Sequence, residues 1–151
     1  MKTKLLLFAI AGLLFTSCDQ DDGFGPGKER IIEAANLPVE IQNYVSTHFS
    51  EYSIVKAIEE KEPNGLEYEV YLSGGYGLEF NTYLHVTEIK GASRLPDSVI
   101  SESILNYTNL HYPDLYIRKW EWEHTYQQVE LNNGIELEFT TTGEFIRVDS
   151  D

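Results

Sequence analysis

Cysteine, basic residues and long apolar runs are all scarce in this 151-residue chain. Its single cysteine, Cys18, excludes an intramolecular disulfide framework and any CxxC redox pair, and four scattered histidines leave no zinc ribbon or finger. Only 11 Lys and Arg stand against 25 Asp and Glu, for a net charge of −14. A surface of that sign repels phosphate backbones and anionic lipid, which excludes nucleic-acid partners and a polybasic membrane patch. HExxH, GxSxG, Walker and CxxC patterns are also missing, so no common catalytic motif is present. What remains is 42% hydrophobic and 13% aromatic residues. That is too much for a disordered acidic tail and suits the core of one folded domain.

The apolar run from Leu5 to Phe15 is preceded by Lys2 and Lys4 and followed by Thr16-Ser17-Cys18. It is too short to span a bilayer as a helix, and Gly12 interrupts it. The segment resembles a bacterial lipoprotein signal peptide, which implies removal of residues 1–17 and acylation of Cys18 as the first mature residue. Phe15 stands where Leu is usual in such signals, a change that Bacteroidetes signals tolerate. Two or more acyl chains, at about 0.8 kcal/mol per buried methylene, hold a protein on a membrane. The resemblance therefore implies a cell-envelope lipoprotein anchored at the outer membrane, on the periplasmic side or the cell surface. Residues 18–36 read as an acidic, glycine-rich tether and lead-in. Within it, Asp19-Gln20-Asp21-Asp22 resembles the surface-export signal of Bacteroidetes lipoproteins and equally fits a solvated linker. A calcium loop starting at Asp19 is excluded, because Phe24 and Arg30 occupy the positions that need Gly and Glu.

The rest of the chain repeats itself. His48-Phe49-Ser50-Glu51 with Ile54 and Lys56 returns 63 residues later as His111-Tyr112-Pro113-Asp114 with Ile117 and Lys119. Val70-Tyr71-Leu72 and Leu78-Glu79-Phe80 return 59 residues later as Val129-Glu130-Leu131 and Leu137-Glu138-Phe139. Both units open with Leu-Pro, at Leu37-Pro38 and Leu95-Pro96, a shift of 58, so the second helix is expected to be five residues longer. The units run over 37–91 and 92–151 and together form one compact domain. In each, apolar residues at helical spacing (Ile41, Tyr44, Val45, His48 and Phe49; Ile100, Ile104, Tyr107 and His111) predict an amphipathic helix. Short alternating runs then predict four antiparallel strands per unit, with turns at Pro63-Asn64-Gly65, Ser73-Gly74-Gly75, Asn132-Asn133-Gly134 and Thr142-Gly143.

Alternation sorts the strands into two faces. Tyr68, Val70, Leu72, Leu78 and Phe80, with Val129, Leu131, Ile135, Leu137 and Phe139, are expected to face the helices. Glu67, Glu69, Tyr71 and Glu79, with Tyr126, Gln128, Glu130, Glu136 and Glu138, fall on the other side. The fold class is α+β: a tandem duplication of a helix plus a four-stranded antiparallel sheet, two layers, with one face open. The pattern Leu-Pro, a helix ending in His-Phe/Tyr, then Tyr-x-Val-x-Leu and Leu-Glu-Phe resembles the PepSY-like lipoproteins of Bacteroidetes. That resemblance covers residues 37–149 and implies a fold similar to the β-lactamase inhibitor protein, in which strands can be exchanged between units. It supplies no catalytic residues and no cofactor.

Candidate functional residues are few. Ser73-Gly74-Gly75-Tyr76-Gly77 lacks the lysine and following helix of a phosphate loop and reads as a hairpin turn. His48 and His111 read as hydrogen-bonded structural histidines on their helices, and the spacing of His85 and His124 requires no metal site. The strand glutamates read as a solvated face that keeps exposed edges from pairing. A glycosidase carboxylate pair is discounted, because a two-layer domain of this size offers an open sheet rather than a deep cleft. The segment from Tyr116 to Glu123 is the sharper feature. Simple alternation puts Tyr116, Arg118, Trp120 and Trp122 on one side of a strand, and both tryptophans of the chain are there. Trp, Tyr and Arg dominate binding hot spots, while packing between the units as core is the alternative. With Tyr126, Tyr71 and Glu69 they form the expected binding face. It suits either a protein partner in the envelope or a carbohydrate or cationic small ligand on an aromatic, acidic platform.

Overall fold

A computed structural model describes residues 24–149, so the signal peptide, Cys18 and the Asp19–Asp22 cluster lie outside the described residues. The elements run in the order β1 (Lys28–Ile32), α1 (Val39–His48), β2 (Ile54–Glu62), β3 (Gly65–Leu72), β4 (Tyr76–Phe80), β5 (Val86–Gly91), α2 (Glu102–His111), β6 (Ile117–Glu123), β7 (Tyr126–Leu131), β8 (Glu136–Thr140) and β9 (Phe145–Asp149). All nine strands form one antiparallel sheet in sequential order. The eight strands expected from alternation are present, and β1 is an addition. Its segment was read as tether because Lys28-Glu29-Arg30 masks the alternation, yet it pairs with β2 from Lys28↔Lys61 to Ile32↔Ala57. No strand is exchanged between the units: β5, the last strand of the first, pairs directly with β6, the first of the second.

Local sequence explains the helices. Pro38 caps α1, and Gln42 reaches back to donate to the Leu37 carbonyl at 2.7 Å. The expected five-residue extension of the second helix does not occur, since α1 and α2 each have 10 residues. Pro96 instead opens a separate 3-10 turn at Asp97–Val99, and α2 starts only after the extended Ser101. The extra residues are spent on the approach to the helix.

Both helices pack on the same side of the sheet. Ile41 and Val45 from α1, Phe49 just after it and Ile104 from α2 meet a row of strand residues that pair directly across the sheet: Ala57, Val70, Leu78, Ile89, Trp120, Val129 and Leu137. One apolar core therefore runs through both units. The duplication extends to ring packing. Tyr44 lies 4.5 Å from His48 and edge-on to Phe80 at 5.6 Å, and Tyr107 repeats this with His111 at 4.3 Å and Phe139 at 5.5 Å. The two histidines differ in surroundings: half-buried His48 shares a 3.0 Å hydrogen bond with the Ser98 hydroxyl, whereas His111 is exposed and lies tilted against Tyr107.

Candidate functional site

Among the described residues the opposite face of the sheet carries no helix. Its residues fall into rows that cross the strands, because directly paired residues point the same way. One row is acidic, Glu69↔Glu79↔Glu88↔Glu121 over β3 to β6. The next row is Tyr71↔Gly77↔Lys90↔Lys119↔Glu130 over β3 to β7. Like charges opposite each other destabilise a sheet, and the cations of the second row offset this. Lys119 Nζ meets Glu88 at 2.9 Å and Glu121 at 2.7 Å, and Lys90 Nζ meets Glu88 at 2.9 Å. Burial alone would raise the pKa of Glu88, but the hydrogen bonds from Lys119 and Lys90 outweigh it and hold the carboxyl below its ordinary value. Glu79, with only Lys90 at 3.8 Å, is raised by burial and by the charge of Glu88.

A pair of bulges shapes this face. In β6 the register slips between Ile117 and Lys119, so Arg118 and Lys119 both stand opposite Glu130. In β2 the same slip between Ile54 and Lys56 sets Val55 and Lys56 opposite Tyr71. The extra residue reverses the parity expected for the segment from Tyr116 to Glu123. Arg118 goes to the open face, where its guanidinium pairs with Glu130. Trp120 goes to the core at 8% exposure, its indole N–H donating to Gln127 Oε1 at 3.0 Å. Trp122 shares the helix-side parity of Trp120 and is 37% exposed near the margin of the packed region.

The expected binding face is thus divided. Glu69, Tyr71 and Arg118 lie on the open face, with the Tyr71 hydroxyl donating to Glu69 at 2.6 Å. Tyr126 shares that face at the start of β7, opposite Thr140. Tyr116 precedes β6, half-buried, its backbone N–H donating to Asn132 Oδ1. Trp120 and Trp122 belong to the other side. Alternation alone also passed over Gly77, Lys90 and Lys119. The signal for the first two lay in the repeat: Gly77 corresponds to Glu136 in the second unit and Lys90 to Asp149, so both positions depart from their acidic counterparts, whereas Lys119 matches Lys56 and gave none.

At one end of the face, carboxylate oxygens of Glu29, Glu60 and Glu69, from β1, β2 and β3, lie within 4.8 Å of one another. The sequence pointed to no metal site, and these are the groups that could hold a cation. Burial, then the charges of Glu29, Glu62, Glu67 and Glu69, raise the pKa of Glu60 above the ordinary carboxyl value. All-oxygen donors of this kind suit hard cations such as calcium.

The family described as "Putative beta-lactamase-inhibitor-like, PepSY-like" matches residues 27–87 and again 66–147. Three solved structures are similar at a TM-score of 0.75 each. The first, described as a putative calcium-regulated periplasmic protein of Bacteroides thetaiotaomicron, is 26% identical, over 81% of this chain and 97% of that one. A putative periplasmic protein of Bacteroides vulgatus is 28% identical over 83% and 100%. Another from the same species, described as of unknown function, is 25% identical over 82% and 100%. None of these descriptions indicates a catalytic family. Among curated proteins none matches the chain. No helix among the described residues is long and apolar enough to cross a membrane.

Proposed function

The chain belongs to the PepSY-like family, and from that premise we propose that it is a non-enzymatic binding module of the cell envelope, anchored through Cys18. It docks another envelope protein on the open sheet face, as an inhibitor or accessory subunit. The observation that carries this reading is that, among the described residues, both helices pack on one side and leave the other face of a nine-stranded sheet uncovered. Strand spacing makes that face about 40 Å wide, and strands of this length make it about 17 Å deep. The product, about 700 Å², approaches the ~800 Å² per partner of a standard interface. The periplasmic descriptions of the similar proteins support the location.

Capture from a detergent-solubilised envelope tests it. The mature wild-type chain is expected to retain one envelope protein, and Glu79→Lys with Glu121→Lys on the open face to lose it. Trp122→Ala, on the helix side, is expected to keep it. Retention by the charge-reversed chain, or no retention by folded wild type, removes the reading.

A second reading rests on the Glu29, Glu60 and Glu69 cluster together with the calcium-regulated description of the Bacteroides thetaiotaomicron protein: this cluster binds calcium. Three carboxylates, each able to bind through both oxygens, with water completing the shell, fit the six to eight oxygens that calcium takes. At ten times its dissociation constant, calcium is expected to stabilise the fold by about 1.4 kcal/mol, read as a rise in Tm, and Glu60→Gln to abolish the rise. The sign with pH follows from Glu60. Because its pKa is raised, protons displace calcium from an elevated pH downward, so the rise shrinks as the solution is acidified through that pKa. An unchanged Tm at saturating calcium would rule the site out.

A further inference from the structure

Across β3 to β7 the open face sinks into a trough of about 600 Å³, within the range of small-ligand pockets. Its lining includes Tyr71, Gly77, Lys90, Arg118 and Lys119. We propose that this trough binds a small aromatic carboxylate, its ring resting on Gly77 beside Tyr71 and its anionic end meeting Arg118 and Lys119. This goes beyond the docking of a protein, since it needs no second macromolecule.

Three observations carry it. The first is the floor. Gly77 lies inside β4, where glycine weakens a strand and commonly marks the close approach of a ligand or another backbone. Nothing rigid in the fold forbids a side chain there. An added Cβ would lie 3.3 Å from the Lys90 Cε, the movable part of a long side chain, and 3.7 Å from the Tyr71 ring. The equivalent residue of the second unit is Glu136. With no side chain at Gly77, the floor is bordered by the movable Lys90 stem and by the Tyr71 ring, which forms an aromatic wall beside it.

The second observation is the charge. In a chain of net charge −14, the trough gathers Lys90, Arg118 and Lys119 against a single lining carboxylate, Glu130. The glutamates that pair with the two lysines, Glu79, Glu88 and Glu121, belong to the neighbouring row. These cations retain free donors. Arg118 spends Nε and one Nη2 proton on Glu130, leaving three of its five N–H groups, and Lys119 keeps one proton beyond those directed at Glu88 and Glu121.

The third observation is the apolar remainder. Val55, placed on this face by the β2 bulge, and Ala92 add exposed apolar side chains to the lining beside the Tyr71 ring, while the Leu72 and Tyr76 side chains turn into the core. Such walls suit the body of an organic acid rather than a bare inorganic anion.

Indole-3-acetate and its neutral counterpart indole-3-acetamide are the probes. Titrated into the isotope-labelled mature chain, the acid is expected to give saturable amide shifts at Gly75, Gly77, Gly91 and Ala92. The amide is expected to bind at least about tenfold more weakly, the loss of one charge-assisted hydrogen bond. Gly77→Leu, which fills the floor, is expected to abolish the shifts. Arg118→Gln, a change at a half-exposed side chain that leaves the backbone free, is expected to weaken the acid about tenfold and decides the matter even if Gly77→Leu does not fold. Equal binding of acid and amide, shifts confined to other regions, or no shifts at millimolar acid would overturn the proposal.

Discussion

Trp120→Ala is expected to destabilise the fold by about 3–5 kcal/mol, the range for removing a large aromatic side chain from a core. The indole is 8% exposed, sits in the row between Ile89 and Val129, and donates to Gln127 Oε1. Its loss opens a cavity. It also removes a donor from a buried amide whose NH2 group is already committed to the Thr140 and Thr141 carbonyls. A domain of this size has about 5–15 kcal/mol of stability in all, so Tm should fall by more than about 10 °C. Trp122→Ala removes the same side chain two residues away, where it is 37% exposed, and is expected to cost about 1 kcal/mol or less. Thermal and urea melts followed by circular dichroism compare the two. Equal small losses would show that Trp120 does not anchor the core.

The second large effect concerns the duplication. Ile41 and Ile104 are equivalent residues of α1 and α2, each fully buried against the sheet. Replacing either by Ala is expected to cost about 2–5 kcal/mol, and the two losses should be similar. Each variant is expected to unfold in a single transition. The core runs unbroken through both units, and β5 and β6 are joined by backbone pairing, so neither half has a boundary along which to melt alone. A biphasic melt in which one half survives Ile104→Ala would contradict this.

The helix and strand pattern was legible because the two repeats reported on each other: strand limits fall within a few residues of those the alternation marks. Three features escaped it for physical reasons. β1 is an edge strand whose charged run Lys28-Glu29-Arg30 is followed by two adjacent isoleucines, so it carries no period-two signal and is held by its partner β2. The length of α2 was misread because a repeat comparison counts residues but does not say how they are used, and Pro96 and Ser101 divert them into a 3-10 turn and an extended cap. The site was misread at one residue with large consequences. A bulge after Ile117 moves Arg118 to the open face and leaves the indoles on the other, and strict alternation cannot register an inserted position. The repeat comparison could not show it either, because both units carry the bulge at equivalent positions, Val55 and Arg118, and the shift falls from 63 to 59 only beyond it, between Lys56 and Lys119 and Val70 and Val129. The change fixes the hairpin between them as shorter, although it says nothing of which way Arg118 points.

The strictly sequential strand order governs how the chain acquires its structure. Each hairpin joins neighbours separated by a short turn, and only the passages through α1 and α2 close longer loops. Loop-closure entropy rises with separation, so a meander incurs little of it and folds faster than a sheet of distant pairings. A chain emerging from its N-terminal end can add each strand to the growing edge as soon as that strand is available. The edge of β5 that pairs with β6 is the surface on which the second unit can then assemble.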